Sequence, residues 1–254
     1  MTPLVTSGIV LVCIFASALV ALFLRARLPD QHLTAETKEV VQAVMGVVGI
    51  MTGIVLGLLV ASAKSSFDGY VEGVAQLAAN VVVLDRTLAH FGPESQEARS
   101  VLRKSVADMV HRMWPREPAP LGGSESLSSG EGRYDEIYTK ILALEPKNDA
   151  QRTTQAHALK MVHDTAQVRW HLYSEQGSSI PIIFLVLMVA WMSLSFAAYG
   201  LFAPRHATSL VVLFLGAFVV SSAVFLILEL DQGFGGMIRI SSEPMRNAIL
   251  QLGQ

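Results

Sequence analysis

The residues best placed to do chemistry lie on one uncharged stretch, Val40 to Ala63 (VVQAVMGVVGIMTGIVLGLLVASA). Gly49, Gly53, Gly57 and Ala61 recur every four residues, with Gly46 three residues before the first. On a helix this spacing makes a ladder of small residues along which another backbone can approach closely. Ordinary helix packing would use the same ladder. About half a turn round lie Thr52, Val55, Leu59, Ser62 and Ser66, an apolar stripe with hydroxyls in it, suited to a wetted or oligomer-facing surface. Lys64 closes the run. A ring of such lysines around a pore favours anions, whereas a single one at the membrane boundary snorkels to water. Asp68 and Glu72 follow one and two turns on, where they can counter that field, and Asp68 can pair with Lys64 as its i,i+4 neighbour. Near the other end of the chain, Glu229 and Asp231 close a second uncharged run, as interfacial acids or as part of a packing turn that Phe234 anchors.

Other chemistries find no constellation. The seven histidines include no i,i+4 pair, and His157 and His163 are merely near each other in sequence. The single cysteine, Cys13, falls inside an apolar segment, so neither a disulfide framework nor a cysteine metal site is expected. No Gly-rich phosphate loop or nucleophile motif is present, so the chain reads as a non-enzyme without metal or cofactor. A net charge of −2 gives no reason for a nucleic-acid partner. Trp114, Trp170 and Trp191 read as core or interface aromatics.

The elements that must position these residues are helical. At 52% hydrophobic and 16% charged, with mean hydropathy +0.45, the chain reads as an all-α integral membrane protein in contact with the lipid bilayer. Four spans are expected: residues 4–24, 40–63, 180–203 and 207–228. The first lacks a charged start and reads as a retained helix rather than a cleaved signal. The second does not stop at Lys64. Phe67, Val71, Val74, Ala78, Val81, Leu84, Leu88 and Phe91 continue at three- and four-residue spacing without a proline, predicting one helix to about residue 91. Thr34 is its expected N-cap, though a full capping box is absent because Thr37 stands where an acid or amide would.

Residues 64–179 read as a helical soluble domain between spans two and three. Its helices are expected near 94–114, 134–144 and 149–171, with a mobile Pro/Gly/Ser-rich loop at 115–131. Asp149 is the expected cap of the last of these. Residues 229–254 form a tail in which Ser242 reads as the cap of a short closing helix. Four spans put both termini and the soluble domain on one side of the membrane. Flanking Lys and Arg are nearly balanced, so charge does not choose the side.

Several stretches carry a resemblance: SAKSSFDGYVEGVAQLAANVVVLDR (62–86), QVRWHLYSEQGSSIP (167–181), LFAPRHAT (201–208) and ILELDQGFGGMIRISSEP (227–244). Together they resemble the bacterial bestrophin-like membrane family, and more distantly the bestrophin ion channels. In those channels, too, a second membrane helix runs on into a soluble helix, across a segment comparable to Ser66–Glu72. The last span likewise ends in an acidic–aromatic–glycine segment, comparable to Glu229–Gly235. The resemblance implies a homopentamer around an axial pore lined by the second helix, passing small ions passively. It also implies a bacterial plasma-membrane location with cytosolic termini.

Two departures stand out. Bestrophins narrow their pore with bulky apolar side chains, where this sequence has Gly53, Gly57 and Ala61. Either the ladder faces the axis and the pore is wider, or the helix is rotated and the Thr52/Val55/Leu59/Ser62 stripe faces it. The dense acidic calcium clasp of animal bestrophins also has no counterpart, since Glu229, Asp231 and Glu243 are too few and too scattered for a cage of about six to eight oxygens. The alternative is a four-span scaffold, or a subunit of the ExbB, TolQ and MotA kind that works only with a partner protein. In those subunits the long soluble helices grow from later spans.

Overall fold

The computed structural model describes residues 2–27, 29, 34–114, 130–174, 182–204, 206–234 and 236–253. Its helices are α1 (Pro3–Leu24), α2 (Ala35–Phe91), α3 (Gln96–Met113), α4 (Gly130–Leu142), α5 (Asp149–Ser174), α6 (Ile182–Phe202), α7 (Ala207–Asp231) and α8 (Glu243–Gln251). Short 3₁₀ turns stand at Arg25–Arg27 and Pro93–Ser95. No strand occurs among the described residues. The fold is the expected all-α one: α1, α2, α6 and α7 are long and apolar enough to cross a membrane, and the helices between the second and third of these are amphipathic or polar. Most residues of the 115–131 loop, and Ile180 and Pro181 ahead of the third span, lie outside the described residues.

The chain divides into two compact units. The first comprises Met1–Phe67 and Ser178–Ile238. Val10 and Ile14 of α1, Leu185 and Met188 of α6, and Val224 and Ile227 of α7 form its core. Helices in lipid gain little from hydrophobic burial against one another and rely on close approach and hydrogen bonds instead. Both are visible along α1. A Cβ on Gly200 would stand 3.0 Å from the Cα of Ala18 and closer still to its carbonyl oxygen, so only glycine fits there. Ser17 Oγ donates to Ser193 O at 2.9 Å, and Ser221 Oγ donates to Ser7 O at 2.6 Å. Arg25 donates to Ala203 O at 2.5 Å.

The second unit comprises Asp68–Gly177 and Arg239–Gln254. The C-terminal half of α2 buries Tyr70, Val74, Leu77, Val81, Leu84 and Leu88. Val71, expected inward, is exposed, and Tyr70 and Leu77 take the inner positions. On α4, Ile137 and Ile141 are inward while Tyr138 and Leu142 are exposed. The helix α2 ends at Phe91 because Gly92 adopts φ 128°, a left-handed conformation that L side chains resist. Ser95 then donates to Leu88 O at 2.5 Å and to Gly92 O at 2.8 Å, closing the turn.

Just inside that end, buried Asp85 accepts two hydrogen bonds from Arg99 of α3, at 2.8 and 2.7 Å, and a third from Gly253 N at 3.2 Å. The Asp85 hydrogen bonds raise the Arg99 guanidinium further above its already high pKa. Trp114 is a core residue that donates to Ile240 O at 2.8 Å, whereas Trp170 is exposed.

One expected cap is corrected and another holds by position alone. Asn148, not Asp149, caps α5: its side-chain oxygen accepts from Gln151 N at 2.8 Å, and Asp149 instead pairs with Arg152 in the first turn at 3.1 Å. An asparagine one residue upstream reaches the third N–H of the helix, which Asp149 inside the helix does not. Ser242 stands at the N-cap of α8 as expected but makes no side-chain cap bond; the hydroxyl of Ser241 accepts from Glu243 N at 3.1 Å.

Candidate functional site: one face of the second span

The helix α2 starts where the sequence signals a start. Thr34 Oγ1 accepts from Thr37 N at 3.3 Å, the N-cap bond, and the two threonine hydroxyls lie 2.9 Å apart. That hydroxyl pair stands where a capping box would have an acid. Glu36 occupies the first turn, where a negative charge suits the helix dipole. Without an internal proline, nothing interrupts the helix across Lys64.

The membrane half of α2 has two opposed faces. One joins the core of its own unit: Thr52 is 0% exposed, Leu59 is 8% exposed and Ala63 is 0% exposed, with Val55 half-buried beside them. Thr52 Oγ1 donates to Val48 O at 2.7 Å, so its hydroxyl bonds its own helix. A side chain buried in the core of its own chain is not free to line a pathway. Thr52 and Leu59 are thus covered within their own chain.

The ladder lies on the other side. Two residues turn an α-helix by about 200°, so Gly57 points away from the side on which Leu59 is buried. Gly53, Gly57 and Ala61 are exposed, and among the described residues a Cβ placed on Gly46, Gly49, Gly53 or Gly57 would meet nothing within 4 Å beyond its own turn of helix. Lys64, exposed, continues the ladder one turn beyond Ala61. Ser62 is exposed but sits off the ladder, beside Leu58. Periodicity identified both stripes; it did not say which one α1, α6 and α7 would cover.

At the far end of α7 the helix runs on through Glu229 to Asp231, past residue 228 where the span was expected to end. Glu229 is 2% exposed and holds a turn of the chain: one carboxylate oxygen accepts from Met237 N and, at 3.1 Å, from Ile238 N. A Cβ on Gly236 would crowd that carboxylate, its Cδ only 2.8 Å away. The carboxylate thus satisfies two backbone N–H donors of the turn that follows the helix. Asp231 and Phe234 are half-buried, each with a contact of its own. The glycine-rich sequence signalled a turn, but the backbone donors that grip Glu229 carry no side-chain signal. Among the described residues no group of three or more His, Cys, Asp or Glu could hold a metal ion.

A Bestrophin-like domain model matches residues 12–245, nearly the whole chain. The chain belongs to the Bestrophin-like domain family. Crystal structures of similar fold include a bacterial bestrophin homolog from Klebsiella pneumoniae, with a TM-score of 0.70 at 17% identity, covering 97% of this chain and 98% of that one. A single-residue variant of that homolog has a TM-score of 0.71 at 16% identity, covering 100% and 99%. A further membrane protein has a TM-score of 0.70 at 15% identity, covering 98% and 99%. No curated protein matches. The resemblance read from the sequence is therefore correct at the level of family, and the fold is that of the bacterial homolog.

Proposed function

We propose that this protein is a homopentameric ion channel of the bacterial plasma membrane, passing small ions passively along an axis lined by the α2 ladder. The observation that carries the reading is the contrast between the faces of α2, where the hydroxyl-bearing stripe is packed against its own chain and the glycine ladder is left open. Gly53, Gly57 and Ala61 at the narrow turns make a wider pathway than bulky side chains would. Lys64, at the end of the ladder, forms a ring of positive charge in an oligomer and tilts selectivity slightly toward anions. Both termini and the second unit lie in the cytoplasm.

The test is flux from proteoliposomes in a Cys13→Ser background, since Cys13 is itself exposed. Gly57→Cys conducts until a charged, membrane-impermeant thiol reagent blocks it, whereas Leu59→Cys is untouched by the reagent. A well-folded oligomer that conducts no ion at any voltage would contradict the channel reading. It would favour a subunit working with a stoichiometric partner that carries an intramembrane acid.

A further inference from the structure

The second unit holds a cavity of about 60 Å³ along the inner face of α3. Most of its wall is aliphatic, with Leu84 from α2, Val106 from α3, Ile137 from α4 and Val162 from α5. Four polar side chains interrupt that wall: Ser105, Arg112, Thr165 and Arg169. Thr165 is satisfied, donating to Met161 O at 2.6 Å. The Ser105 hydroxyl oxygen is buried without a hydrogen bond among the described residues. A dry void has apolar walls; a buried hydroxyl and two guanidiniums make a polar one, and an unmade buried hydrogen bond is destabilising. Arg112 and Arg169 each engage another group of the chain. A guanidinium carries five N–H donors, however, so each can hold its present contact and still receive a carboxylate.

We propose that this cavity binds a short aliphatic carboxylate. The chain lies against Val106 and Val162, and the carboxylate meets Ser105 and the arginine pair. Size sets the length. A water needs about 10–15 Å³ of such space, so the cavity takes the equivalent of roughly four to six waters, suiting butyrate better than a long acyl chain. Charge sets the class. Phosphate or sulfate would lose far more hydration against aliphatic walls than a monoanion whose tail prefers them. The inference is independent of conduction, because binding is read with no ion gradient present.

The experiment uses the full-length oligomer in detergent, titrated with sodium butyrate against sodium chloride at equal ionic strength and against butyramide. Butyrate is expected to raise the melting temperature saturably and butyramide to leave it unchanged. Arg169→Gln should weaken the response by about tenfold, as loss of a charge-assisted contact does. Ala166→Leu, which fills the cavity from its wall, should abolish it. Should Ala166→Leu not remain an oligomer, Ser105→Ala serves in its place and should weaken butyrate by removing only the hydroxyl. An equal response to butyramide, an undiminished response in the filled variant, or no response to butyrate would overturn the proposal and leave the cavity a water site.

Discussion

Small residues line helices in two places in this molecule, and they do different work in each. Along α1, smallness closes distance. The Ala18 backbone lies against Gly200, and Ser17 and Ser221 hydrogen-bond across to α6 and α1 carbonyls. Along α2, Gly46, Gly49, Gly53 and Gly57 close no distance among the described residues, because beyond their own turn of helix nothing there stands within 4 Å of where their side chains would be. Glycine in a helix costs about 1 kcal/mol relative to alanine, and four of them on one face find no return in their own fold. The return must come from outside the protomer, as oligomer contact or as an open path.

The comparison can be broken by mutation. The largest effect is expected at Gly200: Gly200→Ala drives a Cβ into the Ala18 backbone and should cost about 3 kcal/mol. The protein should then fail to elute as a folded oligomer from detergent. Gly57→Ala, the matched change on the ladder, should leave thermal stability unchanged or slightly raised, and a collapse there would refute the contrast. Next comes Ser221→Ala, which removes one interhelical hydrogen bond and should cost about 0.6 kcal/mol, the average for such bonds in a membrane. A small drop in melting temperature without loss of the oligomer would register it.

The smallest effect belongs to the second unit. Lys147 meets Glu94 at 2.5 Å, and its hydrogen bond holds the Glu94 carboxyl below the usual glutamate range. A depressed carboxyl stabilises the fold above its unfolded pKa of about 4.3 and loses that contribution as pH falls through its lower folded value. Lys147→Ala should therefore melt slightly earlier than the wild type at neutral pH. The gap should close in acid below the folded pKa of Glu94.

Much of this architecture is legible in the residues. Uncharged runs of bilayer length announce the four spans, and unbroken three-four spacing from Phe67 to Phe91 announces the continuation of α2. Other features depend on partners remote in sequence. Glycine at position 200 looks like any glycine in a membrane helix until Ala18 is placed against it. Thr52 and Leu59 look like a wetted stripe until α1, α6 and α7 bury their side of the helix. Periodicity fixes which residues share a face; only tertiary packing decides which face is spent inside the protomer. The α5 cap was missed for a local reason, since Asn148 and Asp149 are adjacent and both are good capping residues.

The most direct test is a cryo-EM reconstruction of the solubilised oligomer, with its symmetry and the radius along its axis. The account predicts a five-fold ring with Gly53, Gly57, Ala61 and Lys64 facing a continuous aqueous axis, and Thr52 and Leu59 turned into each protomer. A monomer, or an oligomer whose axis is filled by lipid or whose ladders are sealed against neighbouring helices, would contradict it.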